Sequence, residues 1–493
     1  MTHLSRRNAH PVNRKVALAA ALLAGGIVAV PALHAFADYQ SGSPKPDWRG
    51  DRANTGQTAQ TGPAATPAQV FNAKPVFGGT ASGIELGGDG SVLFTISGGQ
   101  VYSYNADGSK KWQFPASGTT GTYGSDVAAP PSNPVLSSDG ADYVGNDNGN
   151  LYQLADATGA SASIFSAASG AALQQTPKIG PDNSIYLGDL GGNFYRLTPP
   201  APGSGNQATQ VYSFTATGSA QPSDSPTQGR SAAPFRFYGE AALDAAGNAY
   251  VASSDTNPQA ATSPRVGTLY KLAPNGSIAA GFTPAGLKGE PVGAVLLAAD
   301  PGTPGRTLAI VADKFPEVAA FDAATGARVW DFVPANSTGG FFASPALSRD
   351  GTTVYAVNNS DTLYALNVSN GQPAAGFGTS GQAPLTAGSS SSPVVDAAGN
   401  VFLESNDGAL LGLSPAGATL FSVARGAGTG GSGSTGPRFF APAIAPNGTL
   451  YAGGNSATVR GFRIAPADQR RRRSRARRLR QRSPRLRSRR RQP

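Results

Sequence analysis

The sequence predicts an all-β fold: a single eight-bladed β-propeller of four-stranded antiparallel blades, closed by an N-terminal strand. Three observations carry this expectation. A unit of roughly 50 residues recurs eight times. No helical periodicity of useful length appears beyond residue 37. The recurring strands, such as VYAV and LYAL within 351–371, are four or five residues long and apolar almost throughout. A strand covered on one face alternates apolar with polar, whereas one covered on both faces need not, so these strands read as blades packed face to face.

In chain order, residues 1–37 read as a removable secretory signal. Arg6, Arg7, Arg14 and Lys15 form a basic stretch, Val16 to Val30 is apolar, and Ala35-Phe36-Ala37 places small residues at the −3 and −1 positions before Asp38. The alternative is a retained anchor, but this run is shorter than the ~20 residues of a bilayer span and contains Gly25 and Gly26. Ser5-Arg6-Arg7 lies too far from the apolar core to carry weight as a twin-arginine signal. Residues 38–66 read as a polar linker, with Trp48 outside the ring. Residues 67–77, which include Gln69-Val70-Phe71-Asn72, are expected to form the outer strand of the last blade.

The eight blades occupy 67–466. First strands begin near Gly83, Asn133, Thr176, Gly239, Gly293, Ser344, Ser392 and Ala441. Turns such as Asp89-Gly90, Asp139-Gly140, Asp350-Gly351 and Asn447-Gly448 supply the positive φ angles of tight hairpins. Fourth strands are centred on Trp112, Phe165, Phe214, Phe282, Trp330, Phe377 and Phe421, seven aromatics for eight blades. The eighth blade stops at Gly461-Phe462-Arg463-Ile464, so its missing edge has to come from the front of the chain, which leaves the ring without an unpaired end. Long Gly/Ser/Pro/Thr-rich insertions at 199–237, 253–266 and 424–440 are expected on the rim, where propellers bind. Residues 467–493 are expected to be a disordered Arg-rich tail.

Composition narrows the chemistry. The net charge of +10 belongs to the ends: residues 470–493 hold 14 Arg and no acid, and removing both ends leaves 21 basic against 29 acidic residues. His3, His10 and His34 and the single Met all lie in the first 37 residues, and Cys is absent. The remaining chain therefore offers no Ser-His-Asp or Cys-His nucleophile, no zinc or copper ligand set of the usual kind and no lipidated Cys. A carboxylate pair remains open, and Glu85 and Glu240 on inner strands are the candidates, more simply read as solvated channel-mouth charges. Asp147-Asn148-Gly149 and Asn406-Asp407-Gly408 look like pieces of a calcium loop but fall where a turn is needed. Arg49-Gly50-Asp51 spells an adhesion tripeptide, to which little weight is given.

The runs GTTVYAVNNSDTLYALNVSNGQ and EVAAFDAATGARVWDFVP resemble the repeat of the pyrroloquinoline-quinone (PQQ) type β-propellers, across about 67–466. DWRGDRANTG (47–56) resembles the segment that often precedes such propellers. The resemblance implies a channel that in the family's enzymes holds the quinone and Ca²⁺, over a stacking Trp and often under a vicinal disulfide. In those relatives an Asp acts as base beside Glu and Asn metal ligands. Here no disulfide is possible, and Trp112 and Trp330 are assigned to packing between outer strands. There is no CxxCH for a haem, and the His base of the other quinone-propeller type is missing.

The expectation is thus an exported scaffold or binding protein of the cell envelope, periplasmic or extracellular, soluble, monomeric and not a lipoprotein. The nearest analogue by resemblance is the non-catalytic propeller subunit of outer-membrane protein assembly. Its partner would be an envelope protein or polymer held by the loops. The alternatives are a PQQ/Ca-dependent oxidoreductase and an envelope-polysaccharide-binding module; quinone and calcium enter only under the first. Arg470, Arg471, Arg472, Arg473, Arg475, Arg477 and Arg478 are candidates for polyanion binding, against the alternative of an unselected tail.

Overall fold

The computed structural model describes residues 39–464, apart from 74–80, 97–98, 116–131, 169, 218–234, 256–265, 336–338, 425–440 and 454–457. Eight antiparallel sheets succeed one another as blades. Blade 1 spans 81–114, blade 2 135–166, blade 3 178–215, blade 4 235–287, blade 5 296–332, blade 6 346–384 and blade 7 394–423. Blade 8 takes three strands from 443–463 and its outer strand from Ala68–Ala73. The front of the chain therefore closes the ring, with Gln69 opposite Phe462, Phe71 opposite Gly461 and Ala73 opposite Val459. A bulge between Gln69 and Phe71 re-aims the Phe71 ring, which meets Tyr451 edge-on at 5.0 Å. Gly461 is required there: a Cβ would stand 2.8 Å from Phe71 Cβ.

The strands form where apolar runs can be covered from both sides. Val92–Ile96 and Ala141–Gly145 are buried at every position, as are their counterparts Ile185–Gly188 and Val401–Glu404. Outer strands are covered less completely, Arg328–Phe332 burying its central Trp330 between half-buried Val329 and exposed Asp331. Successive first strands are also tied by side chains. Gly83 N donates to Asn133 Oδ1 (3.0 Å), Asn133 Nδ2 to Thr176 Oγ1 (3.2 Å), Ala294 N to Ser344 Oγ (2.8 Å) and Ser344 N to Ser392 Oγ (3.0 Å). Short polar residues at the starts of first strands thus satisfy backbone N–H groups of the preceding blade's first-strand segment.

The outer-strand aromatics have a more specific task than their own blade. Trp112 of blade 1 donates Nε1 to Asp156 O (2.7 Å) of blade 2, and Trp330 of blade 5 donates to Val368 O (2.7 Å) of blade 6. Each indole lies over a positive-φ glycine in the next blade, Gly159 (φ 69°) and Gly371 (φ 69°). A Cβ on Gly371 would stand 2.5 Å from the Trp330 ring. Phe282 and Phe377 are buried but precede the short fourth strands Ala285–Leu287 and Gln382–Pro384 rather than sitting in them, a correction to the sequence reading. In blade 3 the aromatic over the next blade's glycine, Gly276, is Tyr212, while Phe214 meets Tyr270 edge-on at 5.0 Å. Blade 4 carries a strand the sequence did not announce, Phe235–Phe237, paired to Ser253–Asp255. Its second strand, Ala249–Asp255, outlasts the two-residue first strand and so needs a further partner.

Residues 38–66 depart most from expectation. From Tyr39 onward the segment is packed, and Trp48, placed outside the ring by the sequence, is 1 % exposed. Polarity alone reads as a linker, but residues 45–57 are polar because they lie against the ends of first strands, where backbone groups need partners.

Trp330→Ala is expected to lower the unfolding free energy by about 3–5 kcal/mol in urea titrations. Gly371→Ala should cost more than Gly351→Ala, because both glycines have positive φ but only Gly371 lies under an indole. Equal costs would show that the docking adds nothing.

Candidate functional site

The axis of the ring is where first strands converge and where a propeller places a ligand, so the residues that fill it decide what the site can do. Here they come from the chain itself. Residues 45–57 run past successive first strands, each of which donates a backbone N–H: Leu86 to Lys45 O (3.0 Å), Leu136 to Pro46 O (2.8 Å), Leu243 to Arg52 O (2.8 Å), Leu297 to Ala53 O (2.9 Å), Leu347 to Thr55 O (2.8 Å) and Val395 to Gly56 O (2.9 Å). Those donors sit in blades 1, 2, 4, 5, 6 and 7. Blade 3 is reached through Arg52 Nε to Ile179 O (2.9 Å), and blade 8 through Gly62, whose Cβ would stand 3.2 Å from Ile444.

Side chains fix the register of this segment. Lys178, on the first strand of blade 3, is 0 % exposed, and its Nζ donates to Asp47 Oδ2 (2.8 Å), Asn54 Oδ1 (2.7 Å) and Asp51 O (2.9 Å). Glu240 Oε1 of blade 4 lies 3.1 Å from the same nitrogen. Burial disfavours the ammonium, yet Asp47 and Glu240 outweigh it and hold the Lys178 pKa above the ordinary lysine value. Asn54 adopts φ 59° and donates Nδ2 to Ala241 O (3.1 Å) and Val295 O (2.9 Å), spanning blades 4 and 5. Arg49 Nη2 reaches Pro345 O (2.9 Å) and Pro393 O (3.2 Å), spanning blades 6 and 7. Burial lowers its pKa to about 10, still a cation at neutral pH. Gly56 is required beside it, since a Cβ there would overlap the guanidinium at 2.1 Å.

Glu85 and Glu240, expected as solvated charges at the channel mouth, are both 0 % exposed, because the N-terminal segment covers them. They do not form a carboxylate pair for catalysis: Glu240 faces Lys178, and Glu85 faces Lys45 at 3.8 Å. That distance exceeds hydrogen-bond reach, and no donor meets either Glu85 oxygen. Burial, only partly offset by Lys45, pushes the Glu85 pKa up to about 8. Arg49 is 1 % exposed and so unavailable as an adhesion tripeptide. The two calcium-like fragments are turns: Asn148 N and Asn150 N both bond Asn146 Oδ1, and Ala409 N bonds Asp407 Oδ1. The arginines from Arg470 to Arg478, the insertions at 218–234, 256–265 and 425–440, and the signal lie outside the described residues.

The carboxylates of this axis do not fit a quinone–Ca²⁺ pair. Asp47 and Glu240 are engaged by Lys178, Glu85 stands against Lys45, and among the described residues no three acidic side chains gather as a metal ligand set. Sequence reasoning missed Lys178, Asp47, Asn54 and Trp48 as axial residues. One signal was available: Thr-Pro-Lys-Ile places lysine where other copies read Asn-Pro-Val-Leu or Ser-Pro-Ala-Leu, and a lysine in an apolar slot needs a buried anion.

Comparison with known proteins bears on the same ring. The family model described as outer membrane protein assembly factor BamB matches residues 241–485. No curated protein matches the chain significantly. Among solved structures, the quinohemoprotein alcohol dehydrogenase from Comamonas testosteroni aligns over 87 % of this chain and 82 % of its own at 14 % identity, with a TM-score of 0.60. A europium-containing methanol dehydrogenase covers 84 % of this chain and 90 % of its own at 13 % identity, with a TM-score of 0.58. The quinohemoprotein alcohol dehydrogenase ADHIIG from Pseudomonas putida HK5 covers 86 % and 80 % at 12 % identity, with a TM-score of 0.60. At these identities the likeness is one of fold.

The Glu85 environment predicts a pH dependence. Its pKa is raised in the folded state, so the stability it permits is full below the ordinary glutamate value and is lost as pH rises toward about 8. The loss approaches about 1.4 kcal/mol per pH unit at its steepest. Glu85→Gln should therefore gain stability over the parent between pH 5 and pH 8, the gain growing with pH, in urea titrations. A difference independent of pH would show that Glu85 titrates normally.

Proposed function

We propose that this propeller, of the PQQ-like repeat family, is an exported binding scaffold of the cell envelope and not an enzyme. The observation that carries the reading is the axis: the position that would receive a cofactor is taken by residues 45–57, whose buried charges are turned on one another and on the first strands. The family description, an outer membrane protein assembly factor, supports a scaffold that works through partners. No helix among the described residues is long and apolar enough to cross a membrane. The partner is an envelope protein or polymer contacted by the rim, and the protein is monomeric. The arginines at 470–478 add a salt-dependent hold on a polyanion.

The competing reading is a quinone- and Ca²⁺-dependent oxidoreductase, favoured only by the shared fold. Purified protein incubated with PQQ and Ca²⁺, then freed of excess by gel filtration, should retain no quinone absorbance and reduce no dye with alcohol substrates. Stoichiometric quinone retention with dye reduction would overturn the scaffold reading.

A further inference from the structure

At the axis a lysine nitrogen is set against a side-chain amide in a place closed to water. Lys178, Asn54 and Glu240 are all buried. The three protons of the Lys178 ammonium go to Asp47 Oδ2 (2.8 Å), Asn54 Oδ1 (2.7 Å) and Asp51 O (2.9 Å). Glu240 is left over: its Oε1 stands 3.1 Å from Nζ, yet neither of its oxygens accepts a directed hydrogen bond among the described residues. Asn54 is held in place, because its Nδ2 donates to Ala241 O (3.1 Å) and Val295 O (2.9 Å) and its backbone bends at φ 59°. Asp47 alone would pair the lysine. The amide and the second, idle carboxylate beside it are the arrangement of a condensation.

We infer that Lys178 and Asn54 condense into an intramolecular isopeptide bond, with Glu240 taking the proton, so that the N-terminal segment becomes covalently joined to blade 3. Asn54 Cγ lies one carbonyl bond, about 1.2 Å, from Oδ1, so a small side-chain rotation gives Nζ the ~3–3.5 Å approach of a nucleophile. The ammonium is the resting form, since Asp47 and Glu240 hold it charged. Reaction starts when one proton passes from Nζ to Glu240. Glu240 is the better acceptor, because burial raises its pKa well above the ordinary glutamate value, whereas Asp47 already accepts from Tyr39 and Gly50. The freed electron pair on Nζ attacks Cγ, and the Nζ–Cγ bond forms as the carbonyl pair moves onto Oδ1. A second proton moves from Nζ to Nδ2, the carbonyl re-forms, and the Cγ–Nδ2 bond breaks with its pair leaving on ammonia. Ammonium, carboxylate and primary amide thus become a secondary amide, a carboxylic acid and ammonia, with no oxidant or other reactant. Proximity supplies what free lysine and asparagine lack. A chain without cysteine gains a cross-link that constrains it from residue 54 to residue 178 as a disulfide would.

The test is tryptic peptide mapping, by mass spectrometry, of the full chain purified in its native form. Trypsin should leave Lys178 uncut and its peptide joined to the one that begins at Ala53, the pair weighing about 17 Da less than the sum, one ammonia. Protein recovered unfolded from inclusion bodies should give the two peptides separately and acquire the cross-link on refolding. Glu240→Gln should form it at least about a hundredfold more slowly than the parent. Asn54→Asp should join the same two peptides with loss of about 18 Da, one water. Native parent whose Lys178 is cleaved, and whose two peptides run separately at full mass, would overturn the inference. So would a deficit of about 18 Da that joins Lys178 to the peptide ending at Arg49, since the bond would then be to Asp47. Folded Glu240→Gln cross-linked as fast as the parent would overturn the role of Glu240; if that variant does not fold, the parent's map decides alone.

Discussion

A ring of thin blades has to solve two problems at once: an open edge where the chain starts and stops, and an axis lined by the ends of first strands, most of them only two residues long. One stretch, Tyr39 to Ala73, meets both. Its first half supplies backbone acceptors to first strands around the axis, and its second half pairs antiparallel with the last strand of blade 8. Without it, the N–H groups of Leu86, Leu136, Leu243, Leu297, Leu347 and Val395 would lose their partners. Buried unpaired backbone donors each cost a sizeable fraction of a domain's net stability, so the blades and this segment stand or fall together.

Charge, rather than apolar packing, fixes where the segment lies. Lys178 finds two carboxylates, an amide oxygen and a carbonyl, and Arg49 finds two carbonyls. Such buried pairs add little net stability over an apolar equivalent, but removing one partner strands the other at a cost of about 3–5 kcal/mol. That asymmetry selects a single register: a one-residue slip would leave Lys178 without Asp47 and Arg49 without its carbonyls. Lys45 and Glu85 are the looser contact, 3.8 Å apart and without a hydrogen bond between them. The same occupancy is the observation on which the proposed scaffold reading rests.

Much of the architecture was legible in the sequence because it follows from repetition. Eight apolar units with Asp-Gly turns give eight blades, and an eighth unit without a fourth strand points to the run Gln69-Val70-Phe71-Asn72 as its missing edge. What escaped were properties set by neighbours. Phe282 and Phe377 fall outside their strands because burial against the next blade, not strand position, decides where an aromatic sits. Glu85 lies on the first strand of blade 1 as expected, whereas Glu240 lies just before the first strand of blade 4, and only the fold shows that residues 45–57 cover both. Polarity in 38–66 suggested solvent, whereas those polar groups serve the backbone of other blades. A lysine in the slot of Val or Ala was the one local sign of this.

The central claim, that the N-terminal segment is an integral part of the ring, is tested most directly by amide hydrogen exchange followed by mass spectrometry. Peptides covering 45–58 and the first-strand residues Leu243, Leu297, Leu347 and Val395 should be protected to the same degree as the second strands of the blades, and should lose protection together with them in rising urea. Exchange of 45–58 within seconds, while the second strands stay protected, would contradict the account.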